Sequence, residues 1–181
     1  SGHVINPGLF RNPPVDAVKD FTPISLIATN TTVLSVRAGL AARNVQELLA
    51  MARANPGKLT MSYYAGTSQH LAAELFNTMA GIKVLSVPYK GSQEAMNDVL
   101  AGRIDYVFST LSTAQPGVQA GTARILGVTD PKRSVLIPDV PPLADTVPGY
   151  ASRGWYGLLG PANLPRPIVD RLNAAVAHAL Q

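Results

Sequence analysis

Residues 59–110 read LTMSYYAGTSQHLAAELFNTMAGIKVLSVPYKGSQEAMNDVLAGRIDYVFST, and their rhythm decides the fold. Leu59–Tyr63 is a short strand-like run closed by the loop Tyr64-Ala65-Gly66-Thr67. A helix follows, with Ser68 as its N-cap and Leu71, Ala72, Leu75, Phe76 and Met79 at helical spacing on one face. Gly81 ends it, as the residue past the last turn that most easily adopts a left-handed backbone. The grammar then repeats. Val84–Val87 is a strand, Pro88–Gly91 a loop and Ser92 a cap; Ala95, Met96, Val99 and Leu100 form the next apolar stripe, and Gly102 stops it. Ile104–Phe108 is a third strand, running into Ser109–Thr113 and a helix broken near Pro116-Gly117.

Outward from this stretch the same alternation continues. Arg124–Val128 is a fourth strand. Upstream, Asn44 and Glu47 stand at capping-box spacing before a helix with Val45, Leu48, Leu49 and Ala52 inward. Thr32–Val36 and Trp155–Leu159 read as further strands, and Pro138–Pro148, with four prolines, as a loop holding at most one helical turn. Arg166–Leu180 is an amphipathic helix with Ile168, Val169, Leu172, Val176 and Leu180 inward. Residues 1–23, rich in Pro and Asn, show little periodicity, and the chain has no internal repeat. Strands alternating with helices at this spacing predict a mostly parallel sheet covered on both faces.

Composition supports a packed α/β chain. Of 181 residues, 46% are hydrophobic and 14% charged, enough apolar material for a core. No apolar run approaches the roughly 18 residues that span a bilayer. With no Cys, disulfides and thiolate chemistry are excluded. The net charge of +4 comes from basic residues scattered singly, Lys132-Arg133 being the one adjacent pair. Nucleic-acid binders gather such charge into a stripe, so the balance fits a small anion better.

In an open α/β sheet, ligands bind beyond the carboxyl ends of the strands, where helix N-termini point. Three loops fall there: Ala65–Gln69, Pro88–Ser92 and Ser109–Thr113. All are rich in Gly and hydroxyl groups, and none holds Asp or Glu. Capping accounts for Ser68 or Ser92 taken singly; three acid-free loops on one edge point to an anion, best a carboxylate, held by backbone N–H groups and helix dipoles. Gly66 lets a ligand approach the backbone, Thr67 and Ser68 offer hydroxyls, and Lys90 is the single formal charge. Neither glycine-rich phosphate signature is present. A hydrolase would need a nucleophile beside a base. Ser68 and His70, two residues apart at a helix start, face different directions, and Asp105 comes from a later strand, so His70 instead covers or orients the loop. His3, His70 and His178 are too scattered to hold a metal. Tyr63-Tyr64, Trp155 and Tyr156 read as core or hinge packing.

Further motifs, taken in order, carry a resemblance. They are Asn6-Pro7-Gly8-Leu9-Phe10 leading into Val18-Lys19-Asp20-Phe21-Thr22-Pro23, Ala54-Asn55-Pro56-Gly57-Lys58-Leu59, and Ser68-Gln69-His70-Leu71-Ala72-Ala73-Glu74-Leu75-Phe76. Next come Val87-Pro88-Tyr89-Lys90-Gly91, Gly102-Arg103-Ile104-Asp105, Pro138-Asp139-Val140-Pro141 and Trp155-Tyr156-Gly157-Leu158-Leu159-Gly160-Pro161. With these the chain resembles the Bug-type substrate-binding proteins of tripartite tricarboxylate transporters, the solute receptors of the TctC kind.

The resemblance implies a two-lobe, periplasmic-binding-protein-like (type II) α/β fold, one lobe complete and the other partial. It places an inserted ligand-binding lobe at residues 35–152 and a discontinuous lobe at 1–34 and 153–181. It implies a periplasmic receptor, not an enzyme, that needs no cofactor and delivers a small carboxylate to the membrane components of a transporter. A ligand-sensing module of the same fold, uncoupled from transport, is the alternative. Gly66, Thr67 and Ser68 take the family's ligand-binding places, with His70, Tyr89, Lys90 and Ser109 lining the same edge. Ser109 stands where the family commonly carries an acidic residue or Asn, which favours a plain carboxylic acid over an amino acid. The family's opening βα unit and the continuation of its last helix are missing, so the resemblance implies a truncated chain. Such a chain is expected to bind ligand weakly and to dimerise through Ile168, Leu172 and Val176.

Overall fold

A computed structural model describes residues 15–180, together with Ile5 and Gly8. Most of the Asn6–Phe10 motif lies outside the described residues. The chain forms two compact units, one from residues 1–30 and 154–181, the other from 31–153. A boundary between residues 34 and 35 would cut the strand Thr32–Arg37; the chain changes unit before it, between Asn30 and Thr31.

The larger unit is a five-stranded sheet. Its strands are β2 (Thr32–Arg37), β3 (Thr60–Tyr63), β4 (Leu85–Pro88), β5 (Tyr106–Thr110) and β6 (Ala123–Val128), in the order β4-β3-β5-β2-β6. β3 runs parallel to β4 and β5, whereas β2 is antiparallel to both β5 and β6. The sheet is therefore mixed: four strands run the same way, as expected, and β2 runs against them between β5 and β6. Strand alternation sorts the side chains cleanly. Leu34 and Val36 of β2, Met61 of β3, and Tyr106 and Phe108 of β5 join one core cluster. Val33 and Val107 face the other way, into a second.

Helices α1 (Val45–Ala54) and α2 (Ser68–Ala80) supply the first cluster with Leu48, Leu49, Ala72 and Phe76. Helices α3 (Ser92–Leu100) and α4 (Leu111–Gln119) supply the second with Ala95, Met96, Val99 and Ala114. The N-cap before α1 is formed at the expected spacing: Glu47 N–H donates to Asn44 Oδ1 at 2.8 Å, while the Glu47 carboxylate reaches one residue past the N-cap and accepts from Arg43 N–H at 2.7 Å. α4 accommodates Pro116 in its interior and is not broken there. Leu143–Asp145 makes a single 3-10 turn in the proline-rich segment.

α2 is rotated from its expected face. Leu71, Leu75 and Met79 are each about 40% exposed, while Gln69, Ala72, Ala73, Phe76, Asn77 and Ala80 are buried. Alanines let the helix lie close to the sheet, and Asn77 is satisfied there: its side chain accepts from Tyr106 Oη at 2.8 Å and approaches Met61 Sδ at 3.4 Å.

In the smaller unit, β1 (Phe21–Asn30) pairs antiparallel with β7 (Gly154–Pro161), and α5 (Arg166–Ala179) packs on β1. Asn173 Nδ2 donates to Ile24 C=O at 2.8 Å. Of the five residues expected inward on α5, Val169 alone is buried; Ile168, Leu172 and Leu180 are exposed. A two-stranded ribbon offers one helix too little surface to cover that stripe. The last rung of the ribbon pairs Asn30 with Gly154. In the larger unit, Thr129 N–H donates to Thr32 C=O, and Ser152 N–H to Thr129 C=O, both at 3.0 Å.

Candidate functional site

Because β4, β3 and β5 are adjacent and parallel, their carboxyl ends fall on one sheet edge, and α2, α3 and α4 all begin there. The connections are residues 64–67, residues 89–91 and the direct step from Thr110 into Leu111. Three helix N-termini, each with backbone N–H groups not used within its own helix, therefore converge on one edge.

The first connection is tightly built. Gly66 adopts φ +76°, a left-handed conformation costly for other residues. The N-cap of α2 is Thr67, not Ser68. Its hydroxyl accepts from His70 N–H at 3.2 Å and donates to Tyr64 C=O at 2.8 Å. Thr67 thus offers no free hydroxyl donor to a ligand; it shapes the loop. Ser68 occupies the first helical position, where its hydroxyl donates to Gln69 Oε1 at 3.2 Å. Backbone N–H groups of Ser68 and Gln69 precede the first capped one, which leaves them as the anion-facing donors of this turn.

His70 stacks on Tyr63, ring centroids 4.4 Å apart at 19°, and its buried Nδ1 has no hydrogen-bond partner among the described residues. Asp105 lies just before β5, at the sheet edge opposite Ser68. There it accepts from Arg37 Nε at 2.9 Å and from Thr60 N–H and Oγ1 at 2.9 and 3.0 Å. Asp105 is thus engaged away from Ser68 and His70.

The second connection holds Tyr89, Lys90 and Gly91. Tyr89 N–H donates to Tyr63 C=O at 2.8 Å, which extends the β3–β4 ladder into the loop. Gly91, not Ser92, is the N-cap of α3, and it brings no side-chain cap to the first turn. Lys90 is exposed, and no acidic group pairs with it among the described residues. One feature runs against the acid-free pattern: Glu94 stands in the first turn of α3, exposed. Tyr89 Oη donates to Asp98 Oδ2 at 2.5 Å, and Arg103 donates through Nε to Asp98 Oδ1 at 2.9 Å and through Nη2 to the same oxygen. The Tyr89 phenol is pushed up to about 12, first by burial and then by this bond to a carboxylate. Arg103, followed by Tyr89, holds the Asp98 carboxyl below the usual range.

Ser109 belongs to β5 and not to a loop; it is fully buried opposite Val33, and its Oγ has no hydrogen-bond partner among the described residues. A solvent-borne ligand cannot reach it as it stands. Thr110 caps α4, with its Oγ1 2.9 Å from both Ser112 Oγ and Thr113 Oγ1. The edge thus brings Gly66, Thr67, Ser68, His70, Tyr89 and Lys90 together, adds Thr110 and Ser112, and buries Ser109 beneath them. Thr110 was legible as a hydroxyl ahead of a helix; the Asp98–Arg103 pair was not, because its partner Tyr89 lies a whole helix away in sequence. Among the described residues no cluster of His, Asp or Glu could hold a metal, and no helix is long and apolar enough to cross a membrane.

The TctC family model, described as the tripartite tricarboxylate transporter family receptor, matches residues 1–181. The UPF0065 protein in the tcbD-tcbE intergenic region of Pseudomonas sp. (strain P51) is 37% identical over 99% of this chain and 54% of its own length. An R. palustris protein solved with adipate is 36% identical with a TM-score of 0.85, covering 93% of this chain and 57% of that one. MatC from Rhodopseudomonas palustris, solved with bound malate, is 27% identical with a TM-score of 0.83, covering 94% and 59%. The chain spans about half the length of the curated relatives it matches. Matched by its model from end to end, the chain belongs to the tripartite tricarboxylate transporter receptor family, TctC.

Proposed function

We propose that residues 31–153 are the ligand-holding lobe of a periplasmic solute receptor for a small dicarboxylate, and that the smaller unit belongs to the second, discontinuous lobe. The carrying observation is the convergence of three helix N-termini at one sheet edge whose connections contain a lysine and no acid. A carboxylate there is met by N–H groups of Ser68, Gln69 and the first turn of α3 and by the Lys90 ammonium. Relatives solved with adipate and with malate support a dicarboxylate. The receptor delivers its ligand to membrane components of a transporter and does not turn it over.

Calorimetry on the full-length protein tests this reading with adipate, malate and adipamide, the uncharged diamide. One of the two acids should bind, adipamide should not, and Lys90→Ala should weaken binding about tenfold, as the loss of one charge-assisted contact does. Equal binding of adipamide, or of neither acid, overturns it. Loss of dicarboxylate uptake on deleting the gene supports delivery to a transporter; binding without any effect on uptake would favour the sensing role.

A further inference from the structure

Tyr89 is tied at both ends. Its backbone N–H is held by Tyr63 C=O at the end of β3, and its hydroxyl by Asp98, in the second turn of α3. Asp98 is itself fixed. Its carboxylate takes two donors from Arg103, and its carbonyl accepts Arg103 N–H at 2.9 Å and Ile104 N–H at 3.2 Å, closing the chain after the helix. Val87 and Tyr89 pack against the second core cluster, so strand alternation turns Lys90 away from that core toward solvent. Gly91, next in line, has an extended backbone and nothing within 4 Å of where a Cβ would stand. The two residues between Tyr89 and the helix therefore have no side-chain anchor of their own; their position depends on Tyr89. Charge adds a second reason for Arg103. An unneutralised Asp98 would lie on the helix whose N-terminus faces the anion, and the guanidinium cancels it.

We propose that Asp98, braced by Arg103, is the positioning residue of the ligand edge: it latches Tyr89 and so presets Lys90 and the open first turn of α3 for a carboxylate. This rests on the reading of that edge as a carboxylate site. Removing the latch should leave the fold intact, because the bond lies at the periphery of α3 and not among Ala95, Met96 and Val99. It should free the loop and weaken binding, since the ligand must then order what was ordered beforehand.

The test uses full-length protein carrying Tyr89→Phe, Asp98→Asn, or both, with two readouts. In the absence of ligand, backbone exchange broadening at Lys90 and Gly91 should appear in all three variants, with Met96 and Val99 unchanged as controls. With adipate and malate as probes, each single variant should lose about three- to tenfold in affinity, and the double variant no more than the worse single one, as expected of residues acting through one contact. Unaltered Lys90 and Gly91 dynamics, or additive losses, overturn the latch. Loosened dynamics in a protein whose parent binds neither acid would uphold the latch and sink the carboxylate reading instead.

Discussion

Thr67 turns one hydroxyl in two directions, accepting from His70 N–H and donating to Tyr64 C=O. That placement argues for a different outcome of mutation than direct ligand contact would. Thr67→Ala should destabilise the protein by about 1 kcal/mol, the usual cost of losing an N-cap, and its effect on affinity should follow from loop disorder. Denaturant unfolding measures the first; the second is checked by Thr67→Ser, which keeps the hydroxyl and should restore both. Ser rescue of stability without rescue of affinity would show that the Thr67 side chain meets the ligand itself. Gly66, Thr67, Tyr89 and Lys90 were legible because glycine, hydroxyl and lysine between a strand and a helix carry a local meaning. Ser109 was misplaced by a short distance with a large consequence: one more residue of strand carries it from an open loop into the sheet interior.

At the scale of elements, the α1 N-cap, the Gly81 stop and the stripes on α1 and α3 follow directly from spacing. The face of α2 does not. Periodicity weighs large apolar residues, whereas the burial of α2 is decided by how closely Ala72, Ala73 and Ala80 approach the sheet. Strand direction is equally invisible to periodicity. A helix between β2 and β3 made a parallel pair the natural expectation, yet a helix can return the chain in either sense, and β2 runs antiparallel to its neighbours. α3 also carries a pH signature. Arg103 and Tyr89 lower the Asp98 pKa; with its folded value below the unfolded one, near 4, Asp98 contributes stability at higher pH and loses it as pH falls through the lowered value. Carboxyl-carbon NMR should show Asp98 titrating below the ordinary carboxylate range, and Arg103→Gln should raise its midpoint. A parent midpoint at or above about 4 would contradict the pairing.

Across the whole molecule, the two units differ in how well they cover themselves. The five-stranded sheet has helices on both faces; the ribbon of β1 and β7 leaves Leu26, Ile27, Ile168 and Leu172 exposed. Light scattering on the 181-residue chain should therefore report dimers, dispersed by Leu172→Glu, an exposed position on α5 that tolerates charge. A monomer at micromolar concentration would mean that the stripe needs no cover.

The rung joining Asn30 to Gly154, with Thr32, Thr129 and Ser152 hydrogen-bonded in series beyond it, means that the chain enters and leaves the larger unit at neighbouring points. A segment whose two ends meet can be exchanged as a cassette: excised, its ends are already close enough for a short peptide to circularise them, and grafted into another host it needs only one rung of antiparallel ladder as a socket. Residues 31–153 expressed alone should accordingly melt as one cooperative transition, and joining residue 153 to residue 31 through a few glycines should raise the midpoint by shrinking the unfolded ensemble. A lower midpoint after closure would show that the two ends are not at ease side by side.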